Sequence, residues 1–461
     1  MTLFEGRKVL VAGAGVAGTG VARALLGLGA RVTVADGNAE RLAALDLDVR
    51  TAHAITEVPE GIDLVVTSPG WRPDSPLLAG SPVEVIGDVE LAWRIAETLP
   101  EPPLWLAITG TNGKTTTVGM LESILLAAGL DAVACGNVGL PVVDAVLAGH
   151  KVLAVELSSF QLHWQSSLRA HAAAVLNIAE DHIDWHGSLA EYAKAKGRIY
   201  TGVKHAVYNA ADPLTEELAA EHETRRVPFG LDTPRPGGLG LVEDLLIDRA
   251  FTDDPVNEAA ELATLADVRP PGPHNVANAL AAAALARAAG VSPADVLAGL
   301  TAFTPGRHRA EVVAEAGGLT YVNDSKATNP HAAGGSLRAF AKVVWIAGGL
   351  LKGASVDGLA QEVAGRLRGV VVLGADGEAI AASVARHAPD VPVERVPPGD
   401  DEPMIAAVRA ARALAGPGDV VLLAPAAASL DMFRDYAHRG DAFVEAVRRL
   451  TGEDDGGTGA T

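Results

Sequence analysis

The sequence predicts an α/β protein made of successive strand–turn–helix blocks. Three observations carry that expectation. Short apolar runs alternate with Ala/Leu-rich helical stretches along the chain. Two of those runs pass through a glycine-rich turn directly into a helix. Prolines at 100, 102 and 103, and the segment TPGRHR at 304–309, break the pattern where neither helix nor central strand continues. With 461 residues the chain is too long for one ordinary core, so two to four domains are expected, and an apolar fraction of 49% is ample to fill them.

In chain order, residues 5–36 read as strand, glycine turn, helix and strand, with further strands at 63–67 and 83–86. LWLAIT at 104–109 opens a second block and leads into a helix after Lys114; strands follow at 151–157 and 172–179. The stretch 211–270 is acidic and irregular, and no element is read from it. A helix spans about 275–289. The third block has strands at 343–347, 370–373 and 419–424, and the polar, glycine-rich end reads as a disordered tail. The expected domains are 1–99, 100–304 and 305–451, with the tail at 452–461. There is no internal repeat of 20–50 residues.

The net charge of -20 excludes a general affinity for nucleic acid or anionic membrane, although local cations and helix N-termini still hold small anions. Cys135 is the only cysteine, so no intrachain disulfide forms, which suits a reducing compartment. The opening MTLFEGRKVLVAGAG is too short and glycine-broken for a signal peptide. No run reaches the roughly 18 consecutive apolar residues of a membrane span. A soluble cytoplasmic enzyme is expected.

Two glycine motifs carry chemistry. GAGVAG places Gly13, Gly15 and Gly18 between strand and helix, with Asp36 ending the next strand. Alone, this fits a nicotinamide cofactor or another nucleotide equally well. The block is too short for a complete dinucleotide domain, so a half-site for a nucleotide diphosphate fits better. ITGTNGKTTT (108–117) is more specific. Backbone amides around Gly110, Thr111, Asn112, Gly113 and Lys114 can cradle phosphates, Lys114 can reach the terminal ones, and the Thr115 hydroxyl, beside Thr116, can ligate Mg²⁺. Ile108 stands where a general P-loop has its first glycine. Glu156 ends the strand KVLAVEL, where a carboxylate binds the metal of a P-loop nucleotide. His182 follows another strand; taken alone, such a loop histidine is more often structural or solvated. Ser188 to Glu191 read as a capping box opening a helix with Lys194, Lys196 and Arg198, a set that is usually a solvated face.

The remaining motifs are weak one by one: HNVANAL, PGRHR, NDSKATNP, GGLLKG and PAAASLD. In order, and together with GTNGKT, GNVGLP, ELSSFQ and EDHID, they resemble the Mur ligases over nearly the whole chain apart from about 211–270 and the tail. NDSKATNP with ELSSFQL resembles the D-glutamate-adding branch. The resemblance implies three domains: a Rossmann-like UDP-binding domain, a central P-loop ATPase and a C-terminal Rossmann-like domain. It implies an ATP-dependent ligase that adds D-glutamate to UDP-N-acetylmuramoyl-L-alanine through an acyl phosphate. Val16, Ala17, Asp36, Gly37, Ser68 and Gly70 would then lie near UDP. Asn137 and His182 would hold the muramoyl side, Asn275 would approach adenine, and Arg307 and Asp324 would contact ATP phosphates and ribose. Lys326, Thr328, Lys352, Ser429, Leu430 and Tyr436 would form the D-glutamate pocket. Tyr436 replaces the family's phenylalanine, and Gly37 and Asn38 depart from its Thr and Arg. Thr115 and Glu156 would hold one Mg²⁺; His182 and an N-carboxylated Lys196 would hold a second. A monomer with small-molecule partners is expected. The rivals are a folate or peptide glutamyl ligase of the same superfamily, a non-catalytic nucleotide switch, and an NAD-dependent oxidoreductase.

Overall fold

The computed structural model describes residues 3–397 and 402–455. The chain divides into two compact units, residues 1–178 with 185–304, and 179–184 with 305–461.

The first unit holds two sheets. The N-terminal one is parallel: β1 (Lys8–Ala12), β2 (Arg31–Asp36), β3 (Arg50–His53), β4 (Leu64–Thr67) and β5 (Val85–Gly87), in the order β3-β2-β1-β4-β5. KVLVA and LVVT are continuous apolar runs because helices cover both faces of a parallel sheet. The second sheet comprises β6 (Leu104–Thr109), β7 (Ala132–Gly136), β8 (Val152–Glu156), β9 (Ala172–Val175), β10 (His205–Asn209), β11 (Arg225–Phe229), β12 (Leu239–Val242), β13 (Leu245–Asp248) and β14 (Ala260–Thr264). Its order is β14-β13-β12-β11-β10-β9-β6-β8-β7; the β12–β13 and β13–β14 pairings are antiparallel and the others parallel. The stretch 211–270 therefore has regular structure: helix Pro213–Ala220 and the four strands that widen the sheet. Val227, Phe229, Leu246 and Leu262 build one core with the Ala-rich helix Pro273–Ala288.

In the second unit, β15 (Glu311–Ala316), β16 (Leu319–Asn323), β17 (Val343–Gly348), β18 (Leu367–Leu373), β19 (Val393–Arg395) and β20 (Val420–Leu423) order as β15-β16-β20-β17-β18-β19. Only β15 runs antiparallel to its neighbour. The last helix, Tyr436–Asp455, continues four residues into the stretch expected to be a disordered tail, which is corrected to that extent. Residues 456–461 of that stretch lie outside the described residues.

Although residues 1–99 and the chain from 104 onward form separate sheets, they share a hydrophobic cluster in which Val89, Leu91 and Ile95 meet Leu162 and Leu168. Polar contacts reinforce that seam. Gly87 N–H donates to Trp164 O (2.9 Å), and the Trp164 indole donates to Trp71 O (3.3 Å). The fully buried Glu90 accepts from the N–H groups of Ser166 (2.8 Å) and Ser167 (2.9 Å) and from the Ser167 hydroxyl (2.7 Å). Burial alone would raise its carboxyl, but these donors and Arg94 hold it below the usual range. Asp88 is the opposite case. It accepts from Gln161 Nε2 (3.0 Å), its second oxygen is buried with no hydrogen-bond partner, and burial pushes its pKa up to about 6.

That shift has a sign. Between about pH 4 and pH 6 the folded chain keeps a proton that the unfolded chain has lost, so Asp88 costs stability as pH rises through that window. The full penalty, about 3 kcal/mol, is present above it. Asp88→Asn therefore raises Tm at pH 7.5, and the gain disappears near pH 4. An equal shift at both pH values in parallel thermal melts refutes this account.

Candidate active site

In the first unit the site grows from β6. Its strand ends in the loop Gly110–Gly113, which turns into helix Lys114–Ala127. Gly113 has φ +86°, and a Cβ there would meet Asn278 Oδ1 at 2.4 Å, so both the turn and the approach of helix Pro273–Ala288 require glycine. Lys114 Nζ donates to Gly110 O (2.8 Å) and Thr111 O (2.9 Å). The expected amide cradle needs one correction: two of its N–H groups are already used. Thr111 N–H donates to Asn177 O (2.9 Å) and Asn112 N–H to Asn177 Oδ1 (2.9 Å), while Asn177 Nδ2 donates back to Asn112 O (3.1 Å). Asn177, unpredicted from the sequence, thus clamps the middle of the loop. The preceding run AAAVLN, ending beside the P-loop strand, was its only sequence signal.

Glu156 ends β8, paired in register with Ile108 of β6. It is 1% exposed; Asn137 Nδ2 donates to its Oε1 (2.9 Å), and its Oε2 is buried without a hydrogen-bond partner. A buried carboxylate oxygen with no donor, one loop away from the Thr115 hydroxyl, fits Mg²⁺, which takes few protein ligands and completes its shell with phosphates and water. Among the described residues no group of three or more His, Cys, Asp and Glu that could hold a metal ion is found.

The helix Leu189–Gly197 is capped by Ser188, whose hydroxyl accepts from Glu191 N–H (3.2 Å). It does not present a uniformly solvated cationic face. Lys194 is exposed, but Lys196 is 1% exposed, donates to Gly110 O (2.9 Å) and Thr109 Oγ1 (3.3 Å), and lies 4.6 Å from the Tyr192 ring centroid. The Tyr192 hydroxyl pairs with Thr111 Oγ1 (3.2 Å). Asn275 is buried beside Asn278 in the helix facing Gly113. His182, on left-handed backbone (φ +54°), falls in the segment 179–184 that groups with the second unit.

At the N-terminal sheet, Val16 is exposed at the start of helix Val16–Gly27, and the Ser68 hydroxyl is buried without a partner. Asp36 is taken up by the loop itself, accepting from Ala14 N–H (2.7 Å) and Asn38 N–H (2.8 Å). The sheet stops at β5, one strand short of the six of a complete dinucleotide fold.

In the second unit the sequence-selected residues gather at the carboxyl ends of three adjacent parallel strands. Lys326 and Thr328 follow β16, Lys352 follows β17, and Ser429 and Leu430 follow β20. Lys326 Nζ stands 3.8 Å from the Tyr436 ring centroid. Lys352 is exposed at φ +52°. Gly349 has φ +124°, and a Cβ there would strike Ala428 O at 2.0 Å, so glycine lets the loops after β17 and β20 pair through Leu350 and Ala428. Asp324 accepts from Ala310 N–H (3.2 Å) and from Ser336 Oγ, and burial raises its carboxyl pKa. Arg307 is exposed and paired with Asp441 (2.6 Å); half-buried Arg309 is the arginine whose charge acts on Asp324.

A phosphate-cradling loop after one strand, with a metal-ready carboxylate ending the next, defines a nucleoside-triphosphate-handling enzyme. Mur ligase middle-domain and Mur ligase glutamate ligase-domain families match residues 108–286 and 308–427, and the alanine dehydrogenase/PNT C-terminal domain matches residues 4–72. The UDP-N-acetylmuramoylalanine–D-glutamate ligase of Thermobifida fusca (strain YX) is 56% identical over 467 residues, covering 97% of this chain and 100% of that protein. The protein of the same name from Streptomyces avermitilis is 57% identical, covering 98% and 100%. In fold, a pseudomurein peptide ligase type C from Methanothermus fervidus superposes with a TM-score of 0.61 at 18% identity, covering 96% of this chain and 100% of that one. A UDP-N-acetylmuramate-alanine ligase from Thermotoga maritima gives 0.59 at 20%, covering 96% and 99%. The chain belongs to the Mur ligase family.

Asn177→Asp keeps the shape of the clamp but loses the donor to Asn112 O and adds an anion beside the phosphates. Its KM for ATP should rise about tenfold or more, as expected for a lost buried hydrogen bond and a like charge. An unchanged KM in steady-state kinetics removes Asn177 from loop positioning.

Proposed function

We propose that this chain joins D-glutamate to UDP-N-acetylmuramoyl-L-alanine at the expense of ATP, in peptidoglycan precursor synthesis. One observation carries the reading: 56% identity over 97% of the chain to a protein of that name. The proposal includes a cytoplasmic setting and a monomer without nucleic-acid or membrane partners. Among the described residues no helix is long and apolar enough to cross a membrane.

A carboxylate is a poor electrophile, so it must be activated. The L-alanyl carboxylate attacks the γ-phosphorus and ADP leaves; the D-glutamate amine then attacks the acyl carbon, and phosphate and a proton leave. Lys114 exchanges its loop carbonyls for the terminal phosphate, and Gly113, Lys114, Thr115 and Thr116 bring helix N-terminal amides to it. Thr115 and Glu156 would hold Mg²⁺, which would offset the charge of the phosphate oxygens. Asn137 orients Glu156, and we assign it the muramoyl side as well. Asn275, with Asn278, flanks the nucleotide. Arg309 replaces Arg307 as the cation acting with Asp324. Val16, Ala17, Asp36, Gly37, Ser68 and Gly70 line the UDP half-site. Lys326, Lys352 and Ser429 supply donors to the two D-glutamate carboxylates, between Thr328, Leu430 and Tyr436.

The test is phosphate release from ATP over a panel of amino acids and acceptors. Release should require both UDP-N-acetylmuramoyl-L-alanine and D-glutamate; release with a folate acceptor, or without any amino acid, overturns the reading.

The proposal also holds that CO₂ adds to the Lys196 amine, releasing a proton and forming a carbamate that with His182 holds a second Mg²⁺. Burial of Lys196 beside the phosphate loop, against exposure of Lys194, supports it. Activity should rise with dissolved bicarbonate, and Lys196→Ala should cost at least about a hundredfold in kcat/KM where Lys194→Ala costs little. Small, equal losses and no bicarbonate response sink the idea.

A further inference from the structure

Arg439 is among the largest fully buried side chains of the chain, at 1% exposure. It sits one turn into the helix that begins at Tyr436. Together its donors reach three loops of the second unit. Nε donates to Ser325 Oγ (3.1 Å) and Nη2 to Ser325 O (3.0 Å), after β16. Nη1 donates to Gly348 O (3.2 Å), at the end of β17, and to Ala427 O (3.0 Å), after β20. Ser325 Oγ in turn donates to Tyr436 O (2.7 Å), closing the ring back onto the helix. These are the loops that carry Lys326, Lys352 and Ser429.

Every partner of this guanidinium is neutral. Among the described residues no carboxylate pairs with it, and burial pulls its pKa down to about 10 against the weaker pull of Asp431 in the other direction. A buried cation held only by carbonyls and a hydroxyl is costly, and a structural bridge between loops does not require a charge. An anionic ligand in front of it would repay that cost. The planar fork matters too: one side chain spans three backbones with fixed angles, which an ammonium cannot do.

We infer that Arg439 is a positioning residue for the acceptor site, setting the spacing of the three pocket loops and lending its positive charge to the carboxylates bound in front of them. The inference rests on the assignment of D-glutamate to this pocket. Arg439 touches no substrate. It acts through Ser325, Gly348 and Ala427, whose neighbours do.

The test uses the full chain and steady-state phosphate release, with KM measured for D-glutamate, ATP and UDP-N-acetylmuramoyl-L-alanine. Arg439→Lys keeps the charge but not the fork, Arg439→Met loses both, and Ser325→Ala removes only the hydroxyl relay. The expected result is a KM for D-glutamate raised about tenfold by Arg439→Lys, further by Arg439→Met and about fivefold by Ser325→Ala, with the other two KM values within about threefold of wild type. Should Arg439→Met fail to fold, the other two variants decide. Lys352→Ala separates two kinds of failure. If it raises the KM for D-glutamate while Arg439→Lys and Ser325→Ala leave it unchanged, the positioning role is overturned and the pocket stands. If Lys352→Ala leaves that KM unchanged, the pocket assignment falls and the inference with it. A uniform rise of all three KM values in the Arg439 variants marks a purely structural residue and also overturns the inference.

Discussion

The segment from Gly110 to Gly113 has to remain an open loop, and much of the first unit is organised around holding it so. An open loop has no secondary structure to satisfy its polar groups, so its neighbours must do it. Asn177 takes the N–H and C=O of Asn112 as a strand neighbour would, and Lys114 and Lys196 both donate to the carbonyl of Gly110. Tyr192 adds a contact to Thr111. The loop is thus fixed by groups drawn from the segment after β9, its own helix and the helix Leu189–Gly197, before any nucleotide binds. Preorganisation of that kind is where electrostatic catalysis of phosphoryl transfer originates.

The seam between the two sheets of the first unit follows the same logic at longer range. The segment after Glu156 enters a capped helix at Ser158, and its exit, residues 164–167, is bound to Gly87 at the end of β5 and to Glu90 in the first turn of the helix Asp88–Ala96. Glu90 acts there as a neutralising cap for two N–H groups, which favours its ionised form. Asp88, two residues earlier, receives one donor where it needs more. The seam therefore contains one well-satisfied carboxylate and one strained by burial. The pairing joins the N-terminal sheet to the segment that follows Glu156 within one compact unit, at some cost in stability at neutral pH.

The glycine motifs, the strands that enter them and the strand-end carboxylate were legible in the sequence because each is local: a few adjacent residues state the turn, the donor and the element change. The stretch 211–270 was not. Its strands are four or five residues long, and the hairpin between β12 and β13 turns on Glu243 and Asp244, with Glu243 at φ +54°, where glycine or asparagine would have announced it. Asn177 escaped because a clamp is a relation between residues 65 apart in sequence. The choice between Arg307 and Arg309 escaped for a related reason. Both lie in PGRHR, and only the fold places one in solvent against Asp441 and the other near Asp324.

Arg439 shows why composition is a poor guide to charge. A chain with a net charge of -20 has acidic groups to spare, yet among the described residues this guanidinium is buried against carbonyl oxygens at the ends of strands and a hydroxyl, with no carboxylate paired to it. Pairing would neutralise it, and a neutralised cation attracts no anion. Backbone carbonyls supply enough solvation to keep a buried guanidinium tolerable while leaving its field unspent. It also sits beside loops whose proposed cargo is a dicarboxylate. The surplus of acidic groups keeps nonspecific anions away, and the buried cation marks a place where an anion is welcome.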